Sequence, residues 1–155
     1  MQKITPFLWF EKDAKKAAHF YVKIFGRRSK VKATQSIRDT PSGTVEVVSL
    51  ELAGQEFTLM AAGPFRKINE AISFVVNCGT QKEVDHFWSA LSQEGETGQC
   101  GWLKDKYGVS WQVVPTILAE LMSDPDPVKA GRVTQAMLTM TKLDIAKLKA
   151  AYSGK

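Results

Sequence analysis

The stretch CGWLKDKYGVSWQVVP, Cys100–Pro115, decides how this chain is read. It holds two of the four tryptophans, a glycine-containing turn and a final apolar run ended by proline. Trp102–Lys104 and Val109–Val114 read as the two arms of a β-hairpin, with the reversal at Asp105–Gly108. Alternation along the second arm puts Trp111 and Val113 on one face. Ser110, Gln112 and Val114 take the other. Two polar side chains thus stand on a strand otherwise fit for burial, and buried polar groups need partners.

Upstream of the hairpin, Thr80 with Glu83 has the spacing of a capping box, and it opens a helix over Gln81–Gln93. Val84, Phe87, Trp88 and Leu91 form that helix's apolar face. A strand, Ala71–Cys78, precedes it, and Gly95, Gly98 and Gly101 punctuate a loop after it. The same order occurs nearer the N-terminus. Ile4–Phe10 reads as a strand. Asp13 opens a helix over Ala14–Phe25, closed by Gly26. Strands follow at Ser29–Ile37, Val45–Leu52 and Glu56–Ala62, with turns at Asp39–Gly43 and Ala53–Gln55. The Val/Leu content of Val45–Leu52 suggests a strand covered on both faces. Residues 4–62 and 71–114 are therefore two βαβββ repeats, the second with a shorter middle. Neither can bury a sheet face alone, so the expectation is an α+β fold of paired repeats within a single domain, 1–155.

Three short helices are expected in the tail, 116–152: Thr116–Met122, Pro127–Met140 and Lys142–Tyr152. Pro127 suits a first helical position, and Thr141 with Asp144 resembles another capping box. The tail's methionines and leucines form an apolar face. Its partner is either the chain's own sheet or a second subunit.

The 155 residues carry a formal charge of +5, with 44% hydrophobic and 24% charged residues. That balance is globular. The lysines are scattered, and the densest basic run, Gly26–Lys32, lacks interleaved aromatics, so no nucleic-acid partner is expected. No apolar run approaches the roughly 20 residues of a membrane span, and the N-terminus does not read as a signal peptide. Two cysteines, Cys78 and Cys100, make no disulfide framework and suggest a reducing cytoplasm.

Asn69–Val76 (NEAISFVV), the Cys100–Pro115 block, Leu121–Pro127 (LMSDPDP) and the opening ITPFLWF with its AAHFYVKIFG helix together resemble the PhnB-like branch of the glyoxalase/bleomycin-resistance superfamily, also called vicinal oxygen chelate. The resemblance implies a curved mixed sheet enclosing a cup in each paired module, with C-terminal helices, and usually a homodimer. Members often carry the name 3-demethylubiquinone-9 3-methyltransferase. The common methyl-donor fold needs a glycine-rich loop between a strand and a helix. Gly95, Gly98 and Gly101 do not occupy such a place, so methyl transfer is not expected.

Metal enzymes of the superfamily draw His, Glu or Gln ligands from four strands around the cup. Carried over to this chain, the ligand positions fall near Pro6, at Ala71, within Thr58–Met60 and at Gln112. Proline and alanine bring no donor, and one amide does not hold a divalent ion. Neither metal nor cofactor is expected. His19 and His86 read as helix-surface residues. Asp105 reads as a general base or cation anchor, or as the turn residue of its reversal, and the turn is favoured. Cys100 reads as a nucleophile or as a small buried residue, and the second is favoured.

An aromatic-lined cup suits a small organic molecule. Ser110 and Gln112 are expected to face into it, with Asn69, Glu70 and Ser73 as neighbours and Trp9 and Trp102 as aromatic walls. The function expected is small-molecule binding without the usual metal. The alternative is an enzyme acting on an organic metabolite, with Glu70, Asp105 or Cys100 as the reactive group. A third reading makes the Met-rich tail an interaction surface.

Overall fold

In a computed structural model, residues 2–155 are described. The chain is α+β and forms two compact units, Met1–Ile68 and Asn69–Lys155.

The first unit runs β1 (Phe7–Phe10), α1 (Ala14–Phe25), β2 (Lys30–Thr40), β3 (Gly43–Leu52) and β4 (Gln55–Ala61). Its four-stranded sheet has the order β1-β4-β3-β2, with β1 parallel to β4 and the other neighbours antiparallel. Ala14, Ala17, Ala18, Tyr21 and Ile24 are the buried stripe of α1. The sheet residues Val48, Leu50, Leu52, Phe57 and Leu59 are buried too. The other face of β3, expected to be equally covered, is only half-buried at Val47, Ser49 and Glu51. Ala53 and Gly54 both have positive φ, as the tight β3–β4 hairpin demands.

Asp13 does stand at the N-cap of α1, but its side chain makes no capping bond. It pairs with Lys16 at 2.8 Å instead. The carboxylate that accepts from the first turn belongs to Glu46 on β3, which takes the Lys15 N–H at 3.0 Å.

The second unit runs β5 (Ser73–Cys78), α2 (Gln81–Leu91), β6 (Glu96–Thr97), β7 (Trp102–Lys104) and β8 (Ser110–Pro115), then α3 (Ile117–Met122), α4 (Pro127–Leu138) and α5 (Ile145–Ser153). Its sheet repeats the first one's order as β5-β8-β7-β6, again with one parallel pair, β5 with β8. The capping box forms: the Thr80 hydroxyl accepts from Glu83 N–H, and the Glu83 carboxylate accepts from Thr80 N–H, both at 3.2 Å. β6 occupies what reads from sequence as loop. Ala71 lies ahead of β5 rather than in it.

The tail needs no outside partner for its main apolar face. Leu118, Leu121, Val133, Leu143 and Leu148 form a buried cluster of their own, with Met137, Met140 and Val114 of β8 packed against it. Two backbone bonds of 2.7 Å tie it to the hairpin, from Cys100 N–H to Met140 C=O and from Gly101 N–H to Thr141 C=O. The Gln81 amide on α2 adds a clasp, donating to Leu143 C=O and accepting from Ile145 N–H. The expected Thr141–Asp144 capping box does not form. Asp144 is itself the N-cap of α5, and its carboxylate accepts from Lys147 N–H at 3.1 Å. Among the described residues no helix is long and apolar enough to cross a membrane.

Candidate functional site

Pairing register sorts the second sheet into two faces. Ser110 pairs with Ser73 on β5 and Lys104 on β7, Gln112 pairs with Val75 and Trp102, and Lys104 pairs with Glu96. Directly paired residues point to the same side, so Ser73, Glu96, Trp102, Lys104, Ser110 and Gln112 share one face. The opposite face carries Val76, Cys78, Leu103, Trp111 and Val113, all buried, while α2 buries Val84 and Leu91. Val114, at the far end of the first face, packs on the tail cluster. The Ser110 end stays open. There a cleft of about 230 Å³ is lined by Glu70, Glu96, Thr97, Trp102, Lys104 and Ser110, among others.

Only Asp105 and Ser110 are buried polar residues among the described ones, each 3% exposed. Asp105 is fully engaged. Its Oδ1 accepts from Tyr107 N–H at 2.8 Å and from Val109 N–H at 3.1 Å, and its Oδ2 accepts the Trp111 indole N–H at 2.8 Å. It is the turn residue, and it also fixes the core tryptophan. Ser110 differs. Its hydroxyl makes no hydrogen bond within the chain, yet no buried polar side-chain atom among the described residues is cut off from both solvent and partner. Ser110 therefore presents its hydroxyl to the cleft it lines.

Of the six residues expected at a ligand site, Glu70, Trp102 and Ser110 come together in this cleft. Gln112 and Ser73 stand on the same face and satisfy each other, the amide donating to the Ser73 hydroxyl at 2.9 Å. Trp9 belongs to the first unit's sheet. Its indole N–H donates to Gly63 C=O at 2.9 Å, which leaves its ring faces for contact. Asn69, a candidate neighbour, turns back to accept from Ala71 N–H. Sequence reasoning missed Glu96 and Lys104. Lys104 was within reach of the alternation that placed Trp102, two residues before it. Glu96 was not, because a two-residue strand beside two glycines carries no periodic signal.

Glu96 and Lys104 pair at 3.2 Å across β6 and β7, whereas Glu70 has no ion pair. A second cleft, of about 340 Å³, lies in the first unit between the start of α1 and Glu46. Its acids are already engaged, Asp13 with Lys16 and Glu46 with the Lys15 N–H.

The donor set does not fit a divalent metal in the superfamily position. Pro6 gives only its carbonyl, and that accepts from Thr58 N–H at 2.9 Å. Ala71 has no side-chain donor, and the single amide of Gln112 does not hold a divalent ion by itself. Among the described residues no three His, Cys, Asp or Glu side chains are grouped to hold a metal ion. His19 and His86 are exposed on α1 and α2. Cys78 is fully buried, and burial pushes its thiol up to about 11, far from a working thiolate. Cys100 lies against the tail, with its Sγ 3.6 Å from Met137 C=O. Of the three candidate reactive groups, Glu70 alone lines the cleft.

A family model described as 3-demethylubiquinone-9 3-methyltransferase matches residues 2–114, which takes in both repeats and stops before the tail. No curated protein matches. Among solved structures, the chain is 31% identical to a Bacillus cereus PhnB protein described as a putative 3-demethylubiquinone-9 3-methyltransferase. The match covers 74% of this chain and 100% of that one, with a TM-score of 0.66. Protein PA1353 from Pseudomonas aeruginosa is 20% identical over 74% of this chain and 98% of its own, with a TM-score of 0.59. The fosfomycin resistance protein FosX of Listeria monocytogenes is 16% identical over 77% and 94%, with a TM-score of 0.56, a likeness of fold. The family's name describes a methyl transfer, but Gly95, Gly98 and Gly101 lie around β6 and before β7, and build no strand-to-helix loop for a methyl donor. With two sheets of the same order and a family match across both of them, this chain belongs to the PhnB-like 3-demethylubiquinone-9 3-methyltransferase family, within the glyoxalase/bleomycin-resistance superfamily.

Proposed function

We propose that this chain binds a small organic molecule, without the superfamily's usual metal, in the cleft on the open face of its second sheet. The observation that carries the reading is Ser110: a residue 3% exposed whose hydroxyl is unbonded within the chain and opens to the cleft it lines. A hydroxyl that bonds nothing in the chain and opens to a cleft adds no bond to the fold, and a ligand atom can take it as a partner. Trp102 adds an aromatic residue to the lining, and the Ser73–Gln112 pair stands beside Ser110 and Trp102 on the same sheet face. Two copies of the chain would act together, a reading supported by Phe7 and Ile37, both large, apolar and about half exposed on the first sheet.

The test is a thermal-shift and tryptophan-fluorescence screen of small aromatic compounds on the wild type, Ser110→Ala and a cleft-filling Ser110→Leu. A compound at 100 times its Kd stabilises by about 2.7 kcal/mol, a rise of roughly 6–10 °C for a chain of this size. The rise should shrink in Ser110→Ala and vanish in Ser110→Leu. Equal shifts in all three proteins would place binding elsewhere and sink the proposal.

A further inference from the structure

We infer that the cleft selects a flat organic cation of one or two rings that carries an N–H donor, such as an amidinium or a protonated amino-heterocycle. The inference rests on the ligand-binding reading of the same cleft and adds the sign of the ligand's charge.

The chain as a whole is basic, at +5, yet its cleft is acidic. Three charged residues line it. Glu96 and Lys104 neutralise each other at 3.2 Å, so the charge left over is the carboxylate of Glu70, which has no ion pair. Around Glu70 the lining includes Trp102 and one open hydroxyl, from Ser110. An indole is the best aromatic partner for a cation, and the attraction grows as water is excluded. The Ser110 oxygen can accept an N–H that a ligand brings in, at a place where no chain donor reaches it. An anion would have to draw Lys104 away from Glu96 and then sit beside Glu70 uncompensated. Size sets the upper limit. About 230 Å³ is smaller than the 300–1,000 Å³ of cavities that take drug-sized ligands, which leaves room for one or two rings.

The experiment titrates the full chain with three matched probes, benzamidinium, benzamide and benzoate, and their two-ring naphthyl counterparts. Binding is read by tryptophan fluorescence and calorimetry at low and high salt. Each cation should bind at least about tenfold tighter than its neutral isostere at low salt, with the ratio falling as salt rises. Glu70→Gln should bring the ratio close to one. Ser110→Ala should weaken cation and neutral amide alike, because both present N–H donors. Equal binding of cation and neutral isostere would overturn the charge assignment while leaving the cleft as a ligand site. Tighter binding of the carboxylates would overturn it as well and point to Lys104. If none of the six binds, the inference fails. The ligand site itself fails only if the wider screen also shows no difference between the wild type and the Ser110 variants.

Discussion

Asp105 and Ser110 stand five positions apart in one hairpin and are equally buried, yet the molecule treats them in opposite ways. Asp105 has every bond a carboxylate can use in its turn, to two backbone N–H groups and an indole. Ser110 has none. Buried polarity that is fully bonded holds structure together. Polarity left open toward a cleft adds nothing to the fold, and it gains a partner only where something else binds it. The two residues make this contrast testable within one turn of chain.

The largest effect is expected at Asp105. Replacing it with Ala strands the N–H groups of Tyr107 and Val109 and the Trp111 indole N–H in a buried place. The loss should be roughly 4 kcal/mol in urea unfolding. Asp105→Asn keeps an oxygen for the two backbone donors but turns an amide N–H₂ or a weaker acceptor toward the indole, so its loss should be about half as large. If Asp105→Ala unfolded at the wild-type midpoint, the bonds would not carry the turn and the contrast with Ser110 would collapse.

Gly101 comes next. Its φ is +82°, and a Cβ there would lie 2.6 Å from Val113 C=O and 3.2 Å from Leu143. The same residue donates to Thr141 C=O and accepts from Val113 N–H, so it joins hairpin and tail through backbone alone. Gly101→Ala should cost roughly 2–3 kcal/mol, through strain and displacement of the tail. Hydrogen exchange should show the tail loosening, with faster exchange at the Gly101 N–H. Unchanged exchange across 140–143 would show that the tail does not depend on this junction.

These examples also show what a sequence can and cannot display. Strand alternation put Ser110 and Gln112 on one face, and the Thr80–Glu83 box was readable because both partners lie within one helical turn. The repeated element order was readable too, and the structure gives its two sheets the same strand order. Bonds between distant residues were not readable. Glu46 caps α1 across 31 positions, and Gln81 clasps Leu143 and Ile145 across 62 and 64. Local pattern carries no trace of such pairings, because the residue types involved are ordinary at their own positions. β6 was hidden for a different reason: it becomes a strand only because β7 lies beside it. The cleft was half legible for the same reasons. Its β7 and β8 residues follow from alternation, whereas Glu96 depends on a strand that propensity does not announce.

A smaller effect separates fully bonded polarity at the surface from its buried counterpart. The Tyr152 hydroxyl donates to Asp124 Oδ2 at 2.5 Å, and with help from the Asp126 N–H it holds the Asp124 carboxyl below its ordinary 3.8. The same bond pushes the Tyr152 phenol above its ordinary 10.0. For Asp124, with a depressed folded value, the contribution to stability is full above 3.8 and is lost as pH falls through the lowered value. For Tyr152, with a raised folded value, it is full below 10.0 and is lost as pH rises through the raised value. Urea midpoints should therefore fall at both ends of the pH range, and Tyr152→Phe should flatten both limbs relative to the wild type. A variant with the wild-type pH profile would remove the pair from the account.

The smallest effect on stability, and the most informative, is expected at Ser110 itself. Ser110→Ala removes a hydroxyl that bonds nothing in the chain, so no donor or acceptor is stranded. The methyl side chain that remains is the smallest change that keeps the strand's packing. Unfolding free energy should therefore stay within about 0.5 kcal/mol of the wild type, and a slight gain is as acceptable as a slight loss. Ligand affinity should fall at the same time by about tenfold, the worth of one hydrogen bond. The two measurements bear on the contrast jointly. A loss near that of Asp105→Ala would mean that the Ser110 hydroxyl is satisfied within the fold, and the open group would then be a structural one. Unchanged stability with weakened binding is what separates a residue kept for a ligand from one kept for the turn.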